Sequence, residues 1–137
     1  MAVPKITYES APGPNLVRAR AGGMIRVADL LEYVRGIVED DTIEPGFVEI
    51  VDFDPVEDLT ISYSEMAPLP HIWKRYLAKG VRATILYAPS DAAYGVCHMF
   101  QSVIEPEGDL TRGPFTIVRS MEELADRLED LGVNWSA

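Results

Sequence analysis

Between Asp52 and Ser64 the sequence gathers four carboxylates, Asp52, Asp54, Glu57 and Asp58, and then three hydroxyls, Thr60, Ser62 and Ser64. Oxygen-only ligands suit a hard cation such as Mg²⁺ or Ca²⁺, and exposed hydroxyls can accept a phosphoryl group or a partner's hydrogen bond. The acids match no ordered cation-loop spacing, so a solvated segment following a strand is the favoured reading and no metal is expected. Asp52 has an additional positional claim, because open α/β sheets bind ligands beyond the carboxyl ends of their strands.

A second set of residues lies further on. Ser90 and Asp91 head a helical pattern, where backbone N–H groups can hold an anion, although either side chain can cap those donors and Asp91 repels an anion. Tyr94 and His98 stand four apart on what reads as the outward face of that helix, either as a patch for a partner or as a solvated surface. Trp73 and Tyr76, with Met99 and Phe100, can line a pocket between the second and third helices for a small molecule or lipid, or can simply fill the core. His71 and His98 are far apart in sequence and neither has a nucleophile or ligand pair beside it, which argues against zinc and against catalysis. Cys97 has apolar neighbours and reads as buried, Gly95 as a close packing contact, and Lys74, Arg75, Lys79 and Arg82 as cations that complement the end of the second helix.

These residues need elements to position them. Ile6 to Glu9 and Leu16 to Ala21 read as a hairpin across the turn formers Ala11-Pro12-Gly13-Pro14-Asn15, and this ribbon is expected at one edge of the sheet. Val27, Leu30, Leu31, Val34, Ile37 and Val38 recur with helical period, predicting a helix over about 27–39. The nearly continuous apolar run 47–53 predicts a central parallel strand. Residues 54–70 read as irregular, and a helix is expected from Pro70, with inner residues Leu69, Ile72, Trp73, Tyr76 and Leu77 and Gly80 as C-terminal cap. Ala83 to Ala88 predicts a buried strand, followed by a helix whose inner face is Ala92, Ala93, Val96, Met99, Phe100 and Val103. Phe115 to Arg119 predicts a last strand. Ser120-Met121-Glu122-Glu123 is a capping box that opens a helix with the buried stripe Met121, Leu124, Ala125, Leu128 and Leu131. The sum is an α/β domain with a mainly parallel sheet, one domain over residues 1–137.

Composition narrows the function classes. The 137 residues carry 22 acidic against 12 basic side chains, a net charge of -10, which argues against nucleic acid and against anionic membrane surfaces. A single cysteine excludes an internal disulfide and points to a reducing cytoplasm. No apolar run approaches the ~20 residues of a membrane span.

The stretch Ala88-Pro89-Ser90-Asp91-Ala92-Ala93-Tyr94-Gly95-Val96-Cys97-His98-Met99-Phe100-Gln101, followed by a short strand and the Met121-Glu122-Glu123-Leu124 helix, resembles the C-terminal half of STAS domains of the SpoIIAA-like type. Gly23 to Leu31 and Val48 to Asp54 resemble the N-terminal half in order and spacing. The resemblance implies a small α/β domain with a five-stranded sheet and about four helices. In bacteria such domains serve regulation as noncatalytic partner-binding modules, and some bind nucleotides or lipids. Phosphorylated relatives carry a serine in an Asp-Ser-Ser-Gly-like turn after the central strand. Here residues 51–64 contain no Asp-Ser pair, and the nearby carboxylates disfavour a phosphoryl group on Thr60, Ser62 or Ser64.

Together these readings predict a regulatory or protein-interaction module rather than an enzyme, with no cofactor. Its contacts are expected at Asp54, Thr60, Ser62 and Ser64, at Ser90 and Asp91, and at Tyr94 and His98. The alternative is a small-molecule or lipid site at Trp73, Tyr76, Met99 and Phe100. The hairpin edge or the tail at Trp135 is an expected homodimer contact.

Overall fold

The computed structural model describes residues 5–11, 15–59, 62, 64–104 and 115–133, with the backbone alone at 57–59 and 103–104. Thr60, Trp135 and the turn at 12–14 lie outside the described residues, as do the side chains of Glu57 and Asp58. Strands β1 (Ile6–Ala11) and β2 (Leu16–Ala21) form the expected antiparallel hairpin. Strands β4 (Val48–Asp52), β6 (Ala83–Tyr87) and β7 (Phe115–Val118) continue the sheet in parallel, giving the order β1-β2-β4-β6-β7 with β1 at an edge. The Val48–Asp52 run is central, as its apolar character requires, because helices or other chain cover both of its faces.

Helices α1 (Val27–Glu39), α2 (Leu69–Ala78) and α3 (Asp91–Ile104) all pack on one face. Their apolar stripes join Val17, Ala19, Val51 and Leu86 from the sheet in one core. Helix α4 (Met121–Asp130) packs on the other face, where Leu124 and Leu128 cover Val48, Ile50, Ala83, Ile85 and Val118. Gly80 ends α2 with a φ of +98°, and a Cβ there would stand 2.9 Å from Pro45 Cβ, so the α2–β6 turn admits only glycine without movement.

Four features differ from the sequence expectations. Residues 54–70 are partly regular: β5 (Val56–Leu59) pairs in parallel with a short β3 (Gly23–Ile25), and a single 3₁₀ turn spans Ser64–Met66. A ladder between segments some thirty positions apart leaves no periodicity in either segment, which is why both read as loop. In α3, Ala92 is exposed, so the inner face is carried by Ala93, Cys97 and Phe100. In α4 only Leu124 and Leu128 are buried; Ala125 is exposed and Met121 is 45% exposed, because both stand on one flank of the stripe rather than along the line that faces the sheet. Among the described residues, nothing beyond its chain neighbours and its own helix backbone lies within 4 Å of the place a Cβ would take at Gly95.

Candidate functional site

Two clusters of polar and aromatic side chains stand out, one at the surface beyond the carboxyl ends of the strands and one in the core. The surface cluster starts at the β6–α3 turn. Ser90 is the cap: its Oγ accepts from Ala93 N at 3.1 Å. Asp91 is thereby released for another task and takes Nη2 of Arg119, the residue after β7, at 2.6 Å. The same nitrogen donates to the Pro89 carbonyl at 3.1 Å. The Arg119 guanidinium lies 4.5 Å from the centre of the Tyr94 ring, and the His98 ring stands edge-on to Tyr94 with centroids 4.5 Å apart. Tyr94 is therefore half-buried rather than outward, flanked by a cation on one side and an imidazole on the other, while His98 is exposed. Arg119 is the residue that organises this cluster, and sequence reasoning missed it because its partners, Asp91, Pro89 and Tyr94, are remote from it in sequence.

Across the same end of the sheet, Asp52 and Tyr87 are register neighbours, and Asp52 Oδ1 accepts from Asp54 N at 2.8 Å. Burial first, then the charges of Asp54 and Asp52, hold the Tyr87 phenol above its ordinary range. Asp54 is exposed, and β5, which follows it, packs against α3. Further along, Ser62 forms a capping box on the 3₁₀ turn: its Oγ donates to Glu65 Oε1 at 2.8 Å and accepts from Glu65 N at 3.4 Å. Ser64 Oγ lies 3.3 Å from Ser62 Oγ, and both serines are exposed. A phosphoryl group on Ser62 would lose the cap and meet the Glu65 carboxylate. Among the described residues no three His, Cys, Asp or Glu side chains gather as a metal set.

The core cluster was not anticipated. Glu49, on the central strand, is 3% exposed and faces α1 and α2. The Tyr33 hydroxyl from α1 donates to its Oε2 and the Tyr76 hydroxyl from α2 donates to its Oε1. Thr84 Oγ1 on β6 sits 2.8 Å from the Tyr76 oxygen and backs that bond. Loss of water on burial raises the Glu49 pKa, and the three hydroxyls, Tyr33, Tyr76 and Thr84, pull it part of the way back. Tyr33 and Tyr76 are raised well above the usual phenol range, again chiefly by burial and then by the Glu49 charge. A lone Glu in an apolar central-strand run was the available signal, since such a group must find partners where the strand is covered on both faces.

Trp73, Tyr76 and Phe100 do come together, as the sequence suggested. Trp73 stacks on Tyr76 with centroids 4.6 Å apart and meets Phe100 edge-on at 6.0 Å. The space beside them is a cavity of about 30 Å³, bounded also by Leu30, Phe53 and Leu86. That is roughly the volume of one water, so the ring cluster is filled core rather than a vessel for an acyl chain. Met99 is half-buried and does not line this cavity. Cys97 is buried and its thiol is pushed up to about 12 by desolvation, which removes it as a nucleophile. Lys79 does not serve its own helix: its Nζ donates to the carbonyls of Val38 at 3.2 Å and Asp40 at 2.8 Å, capping the end of α1 instead.

The fold is that of a SpoIIAA-like STAS domain, with a mainly parallel five-stranded sheet and four α-helices among the described residues. Among solved structures the chain superposes on the anti-sigma factor antagonist SpoIIAA in its unphosphorylated form with a TM-score of 0.50. That match covers 90% of this chain and 97% of SpoIIAA at 19% sequence identity. No protein-family model matches the sequence. No curated protein matches it either. No helix among the described residues is long and apolar enough to cross a membrane.

Proposed function

We propose that the chain is a noncatalytic regulatory module that binds a protein partner through the surface beyond the carboxyl ends of β4 and β6. The observation that carries this reading is the SpoIIAA-like fold, which extends over nearly the whole of a protein named for antagonising an anti-sigma factor. The partner is accordingly a protein of the anti-sigma factor class. The contact surface comprises Asp54, Ser62 and Ser64 on one side and Ser90, Asp91, Tyr94 and His98 on the other; Thr60, which the sequence adds to it, lies outside the described residues. Arg119 supports the aromatic part of it: by holding Asp91 and lying over Tyr94 it fixes the rings before any partner arrives, which lowers the entropy lost on binding. The reading places the protein in the cytoplasm, where the buried Cys97 thiol stays reduced.

The test is affinity for anti-sigma factors from the same genome, recovered by pull-down and measured by calorimetry with Tyr94→Ala and His98→Ala beside the native chain. Loss of roughly tenfold or more in either variant supports the surface, in line with truncation of a central aromatic contact. Unchanged binding in both removes that surface, and failure to bind any such factor removes the reading.

A further inference from the structure

Two helices on opposite faces of the sheet carry opposite charge. Helix α2 turns Ile72, Trp73 and Tyr76 into the core, so helical period places His71, Lys74, Arg75 and Ala78 together on its outward face, and all four are exposed. Helix α4 turns Leu124 and Leu128 inward and carries Glu122, Asp126 and Glu129 as an outward stripe, again exposed. We propose that copies of this chain associate head to tail, the α4 of one lying along the α2 of the next. This goes beyond the regulatory reading and does not depend on it, since neither stripe includes a residue of the partner surface.

The cations of α2 are available. Lys74 and Arg75 have no side-chain hydrogen bond or ion pair among the described residues, whereas Lys79, just past the helix, is occupied with the carbonyls of Val38 and Asp40. Arg75 complements the end of its own helix, but that leaves its guanidinium in water and able to take a carboxylate as well. A helix without one acid is also out of keeping with a chain of 22 acidic against 12 basic residues, in which α4 concentrates five acids.

The two stripes match in pitch. Each helix has ten residues and is about 15 Å long. Steps of about 6 and 4.5 Å separate the three acids along the axis, and Lys74 and Arg75 lie about 4.5 and 6 Å beyond His71. Set antiparallel with Arg75 opposite Asp126, the helices bring Lys74 between Asp126 and Glu129 and His71 beside Glu129, while Ala78 leaves room for Glu122. Each pair of exposed charges is worth little, and two such helices cover less than the roughly 1,200 Å² of a standard interface, so the association is weak and salt-dependent. Because the sheet separates α2 from α4 within one copy, one neighbour cannot engage both helices, and the assembly grows as a row of copies.

Sedimentation velocity in low salt, from micromolar to millimolar concentration, tests this. The mean mass should rise above the 15.2 kDa of one chain as concentration increases, and fall back in about 0.5 M salt. Lys74→Glu with Arg75→Glu makes both helices acidic, and Asp126→Lys with Glu129→Lys makes both basic. Each pair should weaken self-association by roughly tenfold or more. The second pair brings the net charge nearer zero, so its loss separates a specific contact from general repulsion. An equimolar mixture of the two variants should recover association to within about threefold of the native chain, because each supplies the face that the other needs. All four positions are exposed, and circular dichroism should report an unchanged fold in each variant. A chain that stays monomeric at millimolar concentration overturns the proposal. So does association indifferent to both pairs, the result expected of pairing through a strand edge, and so does a mixture that fails to recover it.

Discussion

The core and surface clusters are built from the same materials, a carboxylate with aromatic partners, yet they do opposite things. Around Glu49 the carboxylate has no described cation beside it and is held by phenol hydroxyls from two helices. Around Asp91 the carboxylate is almost wholly in water, with 98% of its side chain exposed, and takes a guanidinium that is itself stacked on a ring. Burial turns hydrogen bonds into obligations, since each hydroxyl left without its partner loses solvation it cannot recover. Exposure makes the Asp91–Arg119 pair nearly neutral for stability and leaves it free to organise a surface. The first cluster ties α1 and α2 to the sheet, and the second holds a half-buried Tyr94 beside an exposed His98.

The widest gap between the two should appear on deleting a carboxylate. Glu49→Ala strands two buried tyrosine hydroxyls and empties part of the core, and should cost about 3 kcal/mol or more in urea denaturation. A loss under about 1 kcal/mol would mean the hydroxyls find other partners and the cluster holds nothing.

Proton linkage sharpens the comparison next. Glu49 is raised in the folded state, so the folded protein binds its proton more tightly than the unfolded chain does. Stability from this group is fully present below the unfolded value of 4.5 and declines as pH rises through the higher folded value. Asp40 has the opposite sign: lowered mainly by the Thr42 hydroxyl and then by Tyr8, its contribution is present above 3.8 and is lost as pH falls. Subtracting the pH profile of Glu49→Gln from that of the native chain therefore isolates a slope that descends with pH, on the order of 1.4 kcal/mol for each unit of displacement. A flat difference between pH 4.5 and 8 would show that the hydroxyls cancel the burial cost.

On the surface side the effects are smaller. Gly95→Ala, in the helix that carries Tyr94 and His98, should stabilise by roughly 0.5–1 kcal/mol, because the position is exposed, helical and has empty space around it. Destabilisation in a thermal melt would reveal a contact that the open space does not contain. Smallest of all, Arg119→Ala should change stability by no more than about 0.5–1 kcal/mol after solvent screening. Its signature should instead be sharper amide exchange at Tyr94, read by NMR, as the ring loses its support.

Most of the architecture was legible from local pattern. The 27–39 stripe became α1, the apolar run after it became the central strand, and Ser120-Met121-Glu122-Glu123 became a cap, with Glu123 N donating to Ser120 Oγ at 3.1 Å. Each is a short-range signal: a period, a run, or a pair of residues three apart. The misreadings have a different character. Met121 and Ala125 sit correctly in a helical stripe, but how much of a stripe is covered depends on how the helix is rotated over the sheet. The β3–β5 pair and the Asp91–Arg119 link join segments remote in sequence, and no local pattern announces them.

The sequence by itself determined most of the elements, their order and the amphipathic faces that force them into layers, because those follow from side-chain period and backbone preference within a few residues. Only the tertiary structure decided that Glu49 lies under two tyrosines, that Arg119 reaches Asp91 and Tyr94, and that β3 pairs with β5. These depend on which non-adjacent strands become neighbours. That is a property of the order β1-β2-β4-β6-β7, settled by the packing of the whole chain rather than by any one stretch of it.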